Sequence, residues 1–416
     1  MQRGVVMQLT IDRLGHLGDG VGLGPDGPVY AAQTLPGEVV TGDVQGDRML
    51  SPRILTPSPA RVRPPCVHAR TCGGCLMQHA ADSFVAGWKQ GIVAGALAGQ
   101  GLTARFLPMH TSPPQSRRRA VLTGRRTKGG VLLGFHARGS DMLVAVPQCR
   151  LLHPDLIATF PALEALVRAG GTRTTELALT VTRSLAGPDV VVAGGRDLTP
   201  DLRMDLARLA ETHALARLTW GDEMVALRAQ PMQRFGGVLV TPPAGAFLQA
   251  TAEGEAALLR AVALAIGPAR HVADLFAGVG TFALPLAERA EVLAVEGDAA
   301  MTAALDRAQR NASGALKRIT VQTRDLFRRP MEPDELRGLD AVVIDPPRAG
   351  AEAQAERLAA AQVPVIASIS CNPVTFARDA RLLTRAGYHL DWVQVIDQFR
   401  WSAHVELAAR FVRQPA

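Results

Sequence analysis

The chain has 416 residues, enough for two or three domains, and its 47% hydrophobic and 20% charged content supplies a normal core and excludes native disorder. No apolar run approaches the roughly 18 residues of a membrane span, and MQRGVVMQLT lacks a signal-peptide layout, so a cytoplasmic protein without a membrane is expected. The net charge of +7 is uneven: residues 1–150 hold 17 Lys+Arg against 8 Asp+Glu, the remainder 28 against 30. A taste for arginine, 42 against the three lysines Lys89, Lys128 and Lys317, explains the choice of cation but not its placement. The N-terminal third is therefore expected to face a polyanion, with nucleic acid as the partner.

Residues 1–56 alternate apolar with polar, as in Val5–Met7–Leu9–Ile11, between the turns GDGVG, GPDG and LPGE; this predicts a small β-barrel. Pro52, Pro57, Pro59, Pro64 and Pro65 mark a linker, three close cysteines follow, and Ala80 to Leu102 has helical spacing around Phe84, Trp88, Ile92 and Leu97. Arg117 to Val146 alternates again as basic hairpins, whereas 151–241 mixes helices and strands around no chemical motif. From Gly245 onward, HVADLFAG, AEVLAVEG, RITVQTRD, LDAVVIDPP and VPVIASISC are short apolar strands ending in polar residues or glycine. That is the pattern of a parallel α/β sheet whose ligands sit at the strand C-termini. The expected division is 1–56, 57–244 and 245–416.

In DLFAGVGTFALPLAE a strand runs into a turn holding Gly278 and Gly280, then into a helix. A lone G-x-G is weak, but Glu296 in VEGD ends the next strand about 20 residues on, where a carboxylate suits ribose hydroxyls. Leu284 replaces the third glycine of a dinucleotide fingerprint, which favours S-adenosylmethionine over a pyrophosphate cofactor. Asp325, after the third strand, is placed to meet the adenine amine.

Two further strand ends carry the chemistry. IDPPRAG presents Asp345 from a stiff prolyl turn, towards a base edge or the cofactor, and SCNPVTFARDA presents Cys371. A buried strand cysteine is the ordinary case, but Cys371 is followed by Asn and Pro, at an end rather than within a strand. A thiolate there has a specific use. C5 of uracil does not attack a sulfonium methyl unaided, and thiolate addition at C6 makes C5 a nucleophile. After methylation a base must remove the C5 proton so that the thiol can leave; Glu406, in HVE, is the carboxylate assigned to that step. With Cys371 so used, Cys66, Cys72 and Cys75 (C-x5-C-x2-C) and the later Cys149 make four thiols, the number a zinc ion or an iron–sulfur cluster takes. Spacing does not separate the two metals, and His68 or His79 is a substitute for the distant cysteine.

These motifs, in this order and over nearly the whole chain, resemble the RNA uracil-5-methyltransferase family, whose members make 5-methyluridine in 23S ribosomal RNA and in transfer RNA. Residues 1–56 resemble its TRAM domain, an oligonucleotide-binding-type β-barrel with LPGE as its turn. The resemblance implies an α/β fold: this barrel, a central α/β domain carrying a four-cysteine cluster site, and a C-terminal Rossmann-like methyltransferase domain. It implies Cys371 as nucleophile, Glu406 as base, and Gln249 (in FLQ), Phe276, Thr281, Glu296, Asp325 and Asp345 around S-adenosylmethionine or the target base. It further implies a [4Fe–4S] cluster on Cys66, Cys72, Cys75 and Cys149, as in the ribosomal-RNA branch; nothing near these cysteines in the sequence suggests electron transfer, so a structural role is expected, with redox sensing as the alternative. The substrate implied is rRNA rather than tRNA, with the target base out of its stack, and the enzyme is expected to be a monomer. The barrel and Arg117, Arg118, Arg119, Arg125, Arg126 and Lys128 are the candidate RNA grip.

Three places depart from the family: FLQATAEG lacks the usual Asn after the Gln, Thr281 stands where Asn is common, and DQFRWSA replaces Phe-Pro-x-Thr ahead of HVE. A cytosine-5 methyltransferase carries a second cysteine at the proline motif, which reads DPPR here; an amino-methyltransferase of the DPP type needs no cysteine at the next strand end. A non-catalytic RNA-binding protein leaves Cys371, Glu406 and the cofactor site without a purpose.

Overall fold

The computed structural model describes residues 5–312 and 314–414, so the outer ends of the first and last expected divisions lie outside the described residues. Residues 5–56 form a six-stranded, mainly antiparallel sheet in the order Val5–Thr10, Val39–Gln45, Arg48–Thr56, Gly27–Ala31, Gly20–Gly24, Arg13–Leu14. Its alternating strands bury Leu9, Ile11, Val29, Ala31, Val40 and Met49 on one face, as a period of two requires. Buried Glu38, from LPGE, accepts hydrogen bonds from the backbone of Leu35 and Ser58 and pairs with Arg61, tying the sheet to the linker.

The middle of the chain builds a seven-stranded sheet around the hairpin Arg119–Thr127/Gly130–His136, with helices Phe160–Gly170 and Pro200–Thr212 closing its core. Thr199 caps the second helix by accepting from Leu202 N–H, with Pro200 at its first turn.

The C-terminal sheet places His271–Leu275 at its centre. Glu291–Glu296 and Ile319–Thr323 lie parallel on one side, Ala341–Ile344 and Val365–Ser370 on the other. The strand order reverses beside His271–Leu275, the switch point at which such sheets open a crevice. Successive residues go to opposite buried faces: Ala341 and Val343 to one core, Val342 and Ile344 to the other, which is why the strand reads as an unbroken apolar run. The last strand, Leu407–Arg413, inserts antiparallel between Val365–Ser370 and Tyr388–Asp397.

This sheet does not begin at residue 245. Arg105–Phe106 and His110–Thr111 pair parallel to Tyr388–Asp397 on its outer edge, and helix Asp82–Ala98 packs against helix Pro373–Arg385. The chain thus visits the C-terminal sheet before it builds the central one. The reason lies in helix Asp82–Ala98, whose buried Val93 and Leu97 join the C-terminal core while its fully buried Lys89 donates to Asp397 Oδ1 (2.7 Å). A cation without exposure is tolerated only with such a partner.

Candidate active site

Each predicted strand end opens on the same edge. The turn after Leu275 needs two glycines: Gly278 (φ +56°) donates its N–H to Glu296 Oε2 (2.9 Å), and Gly280 (φ +96°) has no room for a Cβ, which would lie 2.5 Å from Leu305 Cδ1. Phe276, ahead of them, also holds a left-handed φ of +63°, strain that an aromatic residue adopts only where its surroundings impose it. Its ring meets Phe327 with centroids 5.4 Å apart.

Together these ends enclose a cavity of about 610 Å3, lined by Gln249, Phe276, Thr281, Glu296, Asp325, Asp345, Cys371 and Glu406 among others. All eight organic-site residues named from the sequence meet there. Asp325 already caps its own turn, accepting from Phe327 N–H (2.9 Å) and Arg328 N–H (3.3 Å). The apolar walls of Phe276, Val279, Met301 and Phe327 and the carboxylate of Glu296 fit an adenosine. Exposed Phe247 and Phe327, together with Arg348, Phe399 and His404, complete the cavity; none of the five stood out in the sequence as a site residue.

Strand register explains how residues 35 apart in the chain come to face one another. Ser370 pairs antiparallel with Leu407, so the next residue along each strand's open end, Cys371 and Glu406, lies opposite the other. Burial raises the Cys371 thiol to about 11, reinforced by the negative groups Glu406 and Asp345 and opposed by Arg348. Burial likewise raises Glu406 to about 8 and Asp345 to about 7. Gln398, only 1% exposed, joins the polar groups: its Nε2 donates to Gln249 Oε1 and to Glu406 Oε2 (3.2 Å), while Gln249 Nε2 donates to Asp345 Oδ2 (3.4 Å).

Part of the candidate RNA grip turns inward. Arg118 is buried, pairs with Glu255 and donates to the Gln249 carbonyl (2.9 Å), and so supports the FLQ segment from behind. Arg119 donates to the Gly245 carbonyl (3.2 Å), and Arg117 lies over the Phe399 ring at 5.7 Å. The triple-arginine run is a brace between the central and C-terminal sheets, because its strand starts where the two meet. Arg125 pairs with Glu176 (3.4 Å), Arg126 is half-buried, and Lys128 lies exposed at the hairpin tip.

A second, small cavity is lined by Cys66, Cys72, Cys75 and Cys149, with His68 but not His79 beside them. The Gly74 N–H points at Cys72 Sγ and the Leu151 N–H at Cys149 Sγ, both at 3.4 Å, the backbone donors that thiolate ligands use. Among the described residues no group of three or more His, Cys, Asp or Glu is gathered closely enough to hold a metal ion, although the four cysteines line one small cavity. No helix of the described residues is long and apolar enough to cross a membrane.

The family model for tRNA (uracil-5-)-methyltransferases matches residues 241–413. An RNA methyltransferase of Brucella suis is 45% identical over 97% of both chains. The 23S rRNA (uracil(1939)-C(5))-methyltransferase RlmD of Chromohalobacter salexigens is 34% identical over 96% of this chain and 87% of its own. Among solved structures, the tRNA (uracil-54, C5)-methyltransferase of Pyrococcus abyssi, in complex with S-adenosyl-L-homocysteine, superposes with a TM-score of 0.74 at 21% identity. It covers 98% of this chain and 99% of its own.

Proposed function

The chain belongs to the RNA uracil-5-methyltransferase family, S-adenosylmethionine-dependent enzymes that methylate C5 of uridine in RNA, and from that premise we propose how its residues divide the work and which RNA it takes. When bound, S-adenosylmethionine supplies the methyl as a sulfonium electrophile; Glu296 would hold its ribose, with Phe276, Thr281 and Asp325 around its adenosine. Cys371 adds through Sγ to C6 of the uracil, which places the electron pair on C5. After methylation Glu406 takes the C5 proton, the C5=C6 bond re-forms and the thiolate leaves. Asp345 and Gln249 orient the base. The observation that best supports this division is the antiparallel pairing that sets Cys371 against Glu406 on the cavity wall.

The RNA we assign is 23S rRNA, in the cytoplasm. The relative named for a 23S uridine is 34% identical, whereas the tRNA enzyme of the solved structure is 21% identical. The four thiols, which line one small cavity and carry the spacing of the cluster-bearing ribosomal-RNA branch, support the same branch, and we assign them a [4Fe–4S] cluster in preference to zinc. Replacing Cys149 by serine is expected to lower bound iron and sulfide and to bleach the broad visible absorption of the purified, anaerobically handled protein. Full zinc occupancy with no iron would replace the cluster by a zinc site.

We place the six-stranded sheet of residues 5–56, which we read as the TRAM-like domain, and the hairpin tip, with Arg125, Arg126 and Lys128, against the RNA. Neutralising these three is expected to weaken RNA binding and to flatten the slope of log K against log salt by about 0.7–0.9 per lost phosphate contact. An unchanged slope assigns the grip elsewhere. The substrate is tested by tritium release from RNA labelled at uridine C5, comparing unmodified 23S rRNA with tRNA. Release from rRNA supports the assignment, and release from tRNA alone keeps the chemistry and moves the enzyme to the other branch.

A further inference from the structure

One buried side chain, bonded to Gln249 and Glu406 of the cavity lining, has no part in the division of labour above. Gln398 directly precedes Phe399 in DQFRWSA, and its donor–acceptor pattern admits one orientation. The Ala250 N–H can only donate, and it meets Gln398 Oε1 at 2.7 Å. Nε2 is therefore on the other side, with one hydrogen for Gln249 Oε1 and one for Glu406 Oε2. That in turn fixes the Gln249 amide with its nitrogen towards Asp345. A single side chain thus reaches both the carboxylate that takes the proton and the amide beside the target base.

The niche around it is built. A Cβ on Gly254, in the first turn of helix Ala252–Ile266, would fall 2.6 Å from Gln398 Cβ and 3.2 Å from its Oε1, so this side chain needs a glycine opposite. The turn that carries it is pinned on both sides: Asp397 Oδ1 accepts from Lys89 Nζ (2.7 Å) and Phe399 N–H (3.0 Å), and the Phe399 carbonyl accepts from the same Lys89 (3.3 Å). Lys89 and Asp397 are both fully buried, so the anchor is shielded from water and salt.

We propose that Gln398 is a positioning residue for the elimination step, holding one oxygen of Glu406 so that the other faces the proton on C5. This rests on the assignment of Glu406 as the base. In the step itself the free carboxylate oxygen takes the C5 proton, the C5–H pair becomes the C5=C6 bond, and the C6–S pair returns to Cys371 as thiolate. Gln398 forms and breaks no covalent bond. By donating to the carboxylate it also favours the charged form, which is the form that works as a base.

The test compares Gln398→Met and Glu406→Gln with the parent enzyme on two substrates. On RNA with tritium at uridine C5, Q398M is expected to release tritium roughly ten- to a hundredfold more slowly, the scale of one lost hydrogen bond to a charged group. A covalent protein–RNA species is expected to accumulate, and the acid limb of the rate profile to move to higher pH. On RNA carrying 5-fluorouridine, where no C5 proton exists to be removed, Q398M is expected to form its adduct at the parent rate, because addition and methylation precede the step it serves. If adduct formation and tritium release slow together and the pH limb stays in place, Gln398 only fills space and the proposal fails. If E406Q releases tritium at the parent rate, the base assignment falls and this role with it. If E406Q stalls while Q398M does not, Gln398 alone loses its role.

Discussion

Cys371→Ala is expected to abolish methylation, a loss on the order of 10^4-fold or more, as for other enzymes stripped of a covalent nucleophile. The size follows from the mechanism: without addition at C6 no electron density reaches C5, and no neighbouring group substitutes. The side chain is partly buried, lines the cavity and lies just beyond the strand, so trimming it leaves the strand Val365–Ser370 and its pairing with Leu407–Arg413 in place. S-adenosylmethionine binding, read by calorimetry, is accordingly expected to persist in the variant. The decisive measurement is adduct formation with RNA containing 5-fluorouridine, seen as a denaturation-resistant band: present in the parent, absent in C371A. A band that survives in C371A would move the nucleophile to another residue. The thiol is held at about 11 by burial and by the carboxylates beside it, so the parent rate is expected to rise with pH across the neutral range.

What the sequence disclosed and what it hid have physical causes. The Gly278–Gly280 turn, Glu296, Asp345 and Cys371 were legible because each ends an apolar strand, and parallel α/β sheets bring such ends to one edge. Local pattern and global site then coincide. The neighbourhood of Cys371 and Glu406 was not legible in that way, since it depends on the last strand inserting beside Val365–Ser370 in one register. A slip of one residue would turn Glu406 to the other face. Charge alone did not sort the basic run: Arg118 is buried and supports the FLQ segment, whereas Arg117 and Arg119 are only partly buried, and a count of cations does not show which side chain turns inward. Segment 82–112 carried helical spacing but no sign of its destination, because Lys89 finds Asp397 308 residues later in the chain. Gln398 did not stand out in the sequence, because the partners that define its role, Gln249 and Ala250, lie about 150 positions earlier.

Glu406→Gln is expected to leave addition and methylation running and to slow tritium release by about 10^2–10^4-fold, the usual contribution of a general base. The glutamine keeps the shape of the site and still accepts from Gln398 Nε2, so RNA and S-adenosylmethionine binding are expected to stay at parent levels. The arrested enzyme should hold its RNA covalently through Cys371 with a methyl already on C5, a species that mass spectrometry distinguishes from a simple adduct. Recovery of free 5-methyluridine at the parent rate would assign the base elsewhere. The pH dependence gives a second, independent check. Burial first, and Asp345 second, raise Glu406 to about 8, so its working carboxylate is lost as pH falls through that region and elimination in the parent should slow below it. The same shift carries the opposite sign for stability. Folded Glu406 retains a proton that the unfolded chain releases near the ordinary carboxylate range, so its contribution is fully present in acid and fades as pH rises towards about 8. Glutamine cannot charge, and E406Q is therefore expected to be at least as resistant to urea as the parent at pH 8.5. A variant that is dead in elimination yet no less stable identifies a carboxylate kept buried for its chemistry and against its own solvation; a variant that loses stability and activity together makes Glu406 a structural residue.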